Sequence, residues 1–308
     1  MTTTYAVKAA DGESTAARRA PRRRRMSWRF LFLAPAAIYV VLIFAYPIGY
    51  NLWLSFRDYD LKSLVSGASQ FVGLRNFSDA LQSGDFMHAL LNTVAFTAIS
   101  IAAQFVIGLA LAMFFFQKFP LSQTMRAALI LPWLIPGIVA TTAWRWLFAD
   151  NGLINEGLAA VHLPTVAWLT STGGALPAVI IVNVWIGISF NLVLIHSGLQ
   201  GIPNERFEAA QLDGANYWQR FIFVVLPGIR PVVGVLLALG FVYTLKQFDL
   251  VWTLTGGGPG NASQLLSTWS YTLSFSNNSF GAGAAVSDIL FVISLAIIVV
   301  YSLWNRRK

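Results

Sequence analysis

The chain has 308 residues, of which 56% are hydrophobic and 11% charged, with a formal net charge of +8 and no cysteine. Globular chains carry about 25% charged residues, and a soluble domain of this length could not hide so much apolar surface; the composition excludes one and predicts a polytopic membrane protein. The lack of cysteine excludes disulfides, thiolate metal sites and a cysteine nucleophile. Residues 1–28 hold almost nothing to bury and are predicted to form a disordered, basic cytoplasmic tail. Much of the positive charge lies around its end, at Arg18, Arg19, Arg22, Arg23, Arg24, Arg25 and Arg29. That run has no interleaved aromatics, which argues against nucleic acid; beside an apolar span it is a topology signal that can touch anionic lipid headgroups.

The apolar stretch Phe30–Leu54 is longer than the about 7–15 residues of a signal-peptide core and reaches the about 20 that a span needs. It is predicted to be the first membrane helix, bent at Pro35 and Pro47. A polar segment, Arg57–Phe86, follows it. Further spans are predicted at His88–Phe116, Ala127–Phe148, Leu176–Leu199, Pro231–Leu254 and Ala284–Trp304, making six. Gly256-Gly257-Gly258-Pro259-Gly260 cannot stay helical and marks a turn at the outer membrane face. The loops fix an orientation. One side collects the N-terminal arginines, Lys118, Arg126, Arg206, Arg220, Arg230, Arg306, Arg307 and Lys308; the other has Arg57, Lys62 and Arg75. Cytoplasmic loops carry the excess of Lys and Arg, so both termini and the loop near residues 201–231 are predicted to be cytoplasmic. Trp144, Trp146 and Trp168 then fall near the outer interface, where Arg145 can snorkel.

The chemistry of energy coupling is missing from the chain itself. None of Lys8, Lys62, Lys118, Lys246 and Lys308 follows a glycine, so there is no phosphate-cradling G-x-x-x-x-G-K-[ST] loop. An ion-coupled secondary carrier, one rival reading, would place carboxylates or histidines inside its spans. The candidates are Lys246, Asp249 and His196; Lys246 and Asp249, three apart, could form an ion pair or a gate, and His196 reads as a packing residue. His88 and His162 are too scattered for a metal site. Asp58, Asp60, Asp79 and Asp85 lie in one polar loop without a nearby base or nucleophile and read as a solvated face, so no enzyme is predicted.

Uncharged polar residues within the spans point to a solute path. Asn183, Gly187, Phe190 and Asn191 share one helical face, and Gly240, Thr244 and Gln247 share another. Amides, hydroxyls and aromatic rings with glycine leaving room suit a neutral, hydroxyl-rich solute. Interhelical hydrogen bonding is an equally good use of such residues, and spacing alone does not separate the two.

The polar island between the fourth and fifth spans has helix signals: Pro203 suits a first helical position, Glu205 and Glu208 are early acids, and Gly214 can stop the helix. A second short helix from Asn216 is predicted to be interrupted by Pro227. Glu208-Ala209-Ala210, then Asp213-Gly214-Ala215, then Leu226-Pro227 and Pro231 resemble the EAA loop of permease subunits in binding-protein-dependent ABC importers. Asn183-Val184-Trp185-Ile186-Gly187, the run Phe248 to Pro259, and Arg126 to Pro136 resemble the sugar branch of these importers, the maltose-type group.

The resemblance implies an all-α, type I ABC importer permease: a five-helix core plus an N-terminal helix, with a transmembrane domain over residues 29–308. It implies that Glu205, Glu208, Ala209, Ala210, Asp213, Gly214 and Ala215 form a coupling helix for the ATPase, and that Asn183, Gly187, Phe190, Asn191, Gly240, Thr244 and Gln247 line the sugar path. The implied partners are a second homologous permease, two ATP-binding subunits that hold ATP and magnesium, and an extracytoplasmic solute-binding protein, in a bacterial or archaeal plasma membrane. A phosphorylated polyol such as glycerol phosphate is the alternative solute; it would need fixed positive charge, for which Lys246 is the candidate.

Overall fold

The computed structural model of the protein describes residues 29–117 and 119–306; the basic tail 1–28, Lys118, Arg307 and Lys308 lie outside the described residues. The chain divides into two units at Ile48 and Gly49. In the first, α1 (Arg29–Val40) runs into a wide π-type turn, Val41–Ala45, closed by the Tyr46 N–H on the Val41 carbonyl. Pro47 follows directly in α2 (Tyr46–Ser55). A proline lacks the N–H and crowds the carbonyl one turn back, and a widened turn is one way for a helix to pass it.

In the second unit, the polar segment predicted as loop is ordered. Arg57–Asp58 (β1) and Gln70–Phe71 (β2) pair antiparallel around α3 (Leu61–Ser66), and α4 (Arg75–Gln82) follows. Three of the acids read as a solvated face have local work to do. Asp60 caps α3 by accepting from the Ser63 N–H and hydroxyl, Asp79 pairs with Arg75 at 3.6 Å, and Asp85 accepts from Asn261 at 3.2 Å. The Ser63 N–H, then its hydroxyl, hold the Asp60 carboxyl below its ordinary pKa.

The core is built on α5 (Gly84–Phe116) and α9 (Ala175–Gln200), which pack along their length. Glycines allow the approach: Gly108 lies against Asn191, and Gly187 against Gln104. The predicted third span is two helices, α6 (Ser122–Leu134) and α7 (Gly137–Leu147), at 98°. Pro136 holds the preceding Ile135 extended (φ −74°, ψ 133°), so the helix cannot continue through it. The chain then has five helices long and apolar enough to cross a membrane, or six if the bent pair is one span, among the described residues.

The fifth span also departs from expectation. It starts at Tyr217, not Pro231, and ends at Leu245, not Leu254. Pro227 does not interrupt it: α11 (Tyr217–Arg220) passes through a second wide turn, Phe221–Val225, closed by Leu226 N–H on the Phe221 carbonyl, into α12 (Leu226–Leu245). The same wide-turn-then-proline device thus occurs twice. The remaining short helices are α8 (Leu153–Ala160), α10 (Asn204–Leu212), α13 (Asp249–Leu254) and α14 (Leu266–Tyr271), before the long α15 (Phe280–Arg306).

Three apolar clusters organise the helices. One joins Phe96, Phe148, Val182, Val251 and Leu254; a second joins Phe115, Leu192, Ile195, Leu199, Ile202 and Ile229; a third joins Phe86, Leu245, Leu266, Trp269 and Val286. Val182 belongs to the first and Leu192 to the second. The stretch of α9 between them is where the polar residues sit.

Candidate functional site

Asn183, Gly187, Phe190, Asn191, Gly240, Thr244 and Gln247 all line one cavity of about 310 Å³ between α9 and α12. The helical spacing read from the sequence therefore brings these seven residues together. Gln104, Trp133, Ile186 and Tyr243 complete the lining. Gln104 was missed as a site residue, although an amide amid the apolar run of the second span was its signal.

Gln104 bridges α5 to α9, its Nε2 donating to the Asn183 carbonyl at 2.9 Å, and its carboxamide fills the space that a side chain at Gly187 would take. Asn191 Nδ2 donates to the Gly187 carbonyl at 2.9 Å, and Ser189 Oγ donates to the Leu129 carbonyl at 2.7 Å. Part of the polar inventory is thus structural. The other part is open: Asn183 Nδ2 and Asn191 Oδ1 are buried without a partner among the described residues, as are Thr97 Oγ1 and Ser100 Oγ on α5. A buried polar group left unpaired costs about 1–3 kcal/mol, so Asn183 and Asn191 call for water or a polar solute in the cavity they line. Trp133 and Phe190, with ring centroids 5.6 Å apart, supply an apolar wall. None of the lining residues is charged.

Lys246 and Asp249 do not share a helix face. Lys246 caps α12, Asp249 opens α13, and the two form no ion pair. The chain breaks between them because Ser267 Oγ takes the Gln247 carbonyl at 2.6 Å and Phe248 turns to pack on Trp252 and Tyr271. The Lys246 ammonium instead stands over the Tyr243 ring at 5.2 Å. His196 is buried, within hydrogen-bond distance of Arg126 Nη1 at 2.8 Å and of the Phe115 carbonyl at 3.3 Å, in keeping with a packing role. Among the described residues no group of three or more His, Asp or Glu side chains could hold a metal ion.

At the other end of α9 the polar island forms α10, with Pro203 just before its first residue rather than in it. The helix ends where the sequence places the stop. Gly214 has φ +74°, its N–H bonds the Gln211 carbonyl at 3.1 Å, and the Ala215 N–H reaches back to the Ala210 carbonyl at 2.9 Å. This paired closure needs a left-handed residue at its centre, which glycine supplies without strain. Asn216 and Gln219 then cap the next helix reciprocally, at 2.8 and 2.9 Å. Phe207 anchors α10 on Phe116, centroids 5.8 Å apart, while Glu205, Glu208, Ala209, Asp213 and Gly214 are exposed. Beside them Leu212 is 89% exposed and Trp218 68%.

Residues 104–308 match the family described as the binding-protein-dependent transport system inner membrane component. The chain is 31% identical over 273 residues to the trehalose/maltose transport system permease protein MalF of Thermococcus litoralis, covering 88% of this chain and 91% of that one. It is 30% identical over 305 residues to the diacetylchitobiose uptake system permease protein DasB of Streptomyces coelicolor, covering 96% and 92%. Among solved structures, a bacterial ABC transporter involved in the import of the acidic polysaccharide alginate superposes with a TM-score of 0.78 at 22% identity, over 91% of this chain and 95% of that chain, which establishes the fold.

Proposed function

Because this chain belongs to the family of binding-protein-dependent transport system inner membrane components, a family of ABC importer permeases, we propose that it carries a sugar, of di- or oligosaccharide size, across the membrane. The observation that carries the reading is the uncharged cavity at Asn183, Asn191, Thr244 and Gln247, with buried amide groups that lack partners and a Trp133–Phe190 wall. Amides bond sugar hydroxyls while rings pack on C–H faces. The lining has no fixed positive charge, which favours a neutral sugar over a phosphorylated polyol. It has no carboxylate for an ion site either, which disfavours a secondary carrier.

Residues 29–308 act in this reading as one transmembrane domain, with both termini and α10 on the cytoplasmic side, as the distribution of Lys and Arg suggests. The exposed residues Glu205, Glu208, Ala209, Asp213 and Gly214 dock into an ATP-binding subunit, which holds the ATP and magnesium. A second permease closes the open side of the cavity, and a solute-binding protein delivers sugar from outside. Nucleotide-driven closure of the ATPases moves α10, and rocking of the two permeases alternates access to the cavity. The sugar is moved without chemical change.

The test is uptake of labelled trehalose, maltose and N,N′-diacetylchitobiose by the assembled importer in membrane vesicles. Uptake of one of them that requires ATP and is lost in Asn183→Leu is the expected result. Uptake by this chain alone, driven by an ion gradient, would overturn the assignment.

A further inference from the structure

A second concave site lies outside the cavity described above. It is a groove of about 360 Å³ between α14 with the wide turn Thr272–Ser276 that follows it, the first turns of α15 and the end of α2. Phe248, Tyr271, Phe275 and Phe280 line it, and their rings form an unbroken series with centroids 4.9, 4.8 and 6.0 Å apart. Serines alternate with them at helical spacing. Ser270 Oγ donates to the Gly283 carbonyl at 2.8 Å and Ser274 Oγ packs against Gly283, while Ser287 makes no hydrogen bond among the described residues.

We propose that this groove is a carbohydrate subsite, a station that holds sugar between the outer surface and the midmembrane cavity. The proposal rests on the sugar reading above and extends it to residues outside the cavity. Three observations carry it. A ladder of ring faces beside serine hydroxyls is the chemistry that a pyranose needs, apolar C–H faces against rings and hydroxyls against polar groups. The groove also shares a wall with the cavity: Gln247 lines the cavity, its carbonyl is held by Ser267 Oγ from the groove at 2.6 Å, and Phe248 is the next residue. Finally, no Lys or Arg lines the groove. The acidic group tied to its wall is Asp288, whose carboxyl accepts from Asn51 Nδ2 at 2.7 Å. Such a site offers a lipid phosphate no counter-charge and admits a neutral polyol.

The absence of cysteine makes the test clean. Ser287→Cys puts the sole thiol of this chain in the groove. In vesicles holding the assembled importer, a membrane-impermeant methanethiosulfonate reagent added from outside should label it. Maltose, trehalose or N,N′-diacetylchitobiose, whichever the wild type transports, should slow labelling several-fold, and adding Phe275→Ala should remove that protection. Phe275→Ala alone should lower the number of sugars imported per ATP hydrolysed several-fold, and Phe275→Tyr should restore it; a purely structural role would lower uptake and hydrolysis together and leave that ratio unmoved. A thiol that is unreactive from outside, or that reacts equally fast with and without the transported sugar, overturns the subsite while leaving the sugar reading intact. Protection that follows lipid composition instead of sugar overturns it too. If the wild type transports none of the three sugars, the sugar reading itself fails and this site falls with it.

Discussion

Replacing Gly214 by alanine isolates the conformational requirement of α10 from its contacts. The residue closes the helix at φ +74°, and a Cβ built there meets nothing within 4 Å. The substitution therefore creates no clash, and its whole effect is the preference of an L-residue against the left-handed region, about 1–2 kcal/mol. That range corresponds to a factor of about 5–30 in the population of the closed helix end. The paired closure of Ala215 N–H on the Ala210 carbonyl and Gly214 N–H on the Gln211 carbonyl is what weakens. Because α10 is exposed, the membrane bundle should keep its thermal stability while uptake falls about 5–30-fold if the ATPase reads the closed end. Gly214→Asn, with a side chain that tolerates the left-handed region, should retain most of the activity. Uptake and nucleotide hydrolysis would be measured on both variants in reconstituted vesicles. Full transport by the alanine variant, or equal loss in both, would refute the argument, the first by showing that the helix end is not read and the second by showing that backbone conformation is not what matters.

The cavity was legible in the sequence for a definite reason. Asn183, Asn191, Thr244 and Gln247 are polar groups in hydrocarbon, and such groups at helical spacing have few places to face. The stop at Gly214 was legible because a glycine after a short helical pattern has one common structural use. What the sequence hid was direction. Hydropathy measures the length of an apolar run, so the 98° corner at Ile135 and Pro136 lay hidden inside one predicted span, Ala127–Phe148. Proline's missing N–H made Pro227 a helix breaker, whereas the wide turn at Phe221–Val225 carries the helix past it. Lys246 and Asp249 looked like neighbours on a helix face because the break between them comes from tertiary contacts of Phe248 and Gln247, invisible in local spacing. The groove rings Tyr271 and Phe275 fall between predicted spans, in a segment with no signal of its own.

Further expectations follow from the packing. In Gly187→Ala the new methyl meets the Gln104 carboxamide, which must leave the Asn183 carbonyl and swing into the cavity of about 310 Å³. Overpacking costs about 1–3 kcal/mol and the lost bond about 1 more, so uptake should fall at least about tenfold, and Gln104→Ala in the same chain should restore part of it. Asp60 offers a pH test. Its carboxyl is held below the ordinary value when folded, so the capping of α3 contributes fully above the ordinary carboxylate pKa and is lost as the pH falls through the depressed one. Hydrogen exchange of residues 61–66 should accelerate over that acidic range beyond the intrinsic pH dependence, and Asp60→Ala should abolish the added response. The remaining expectation concerns how motion at α10 reaches the cavity. Ile202, 5% exposed, sits between the end of α9 and α12, filling the space beside Gly228 and belonging to the same cluster as Leu192, Ile195 and Ile229. The cavity residue Asn191 is the neighbour of Leu192 on the same helix, so the cluster links α10 to the cavity wall through continuous packing rather than through a hinge. Ile202→Ala removes about 2–5 kcal/mol of core packing at that joint, and Leu254→Ala removes a similar amount from the cluster at the far end. If the joint transmits force, Ile202→Ala should hydrolyse ATP at close to the wild-type rate yet import fewer sugars per ATP, whereas Leu254→Ala should keep the wild-type ratio at whatever level it reaches the membrane. Equal ratios in the two variants would mean that the cluster stabilises the protein without carrying the stroke.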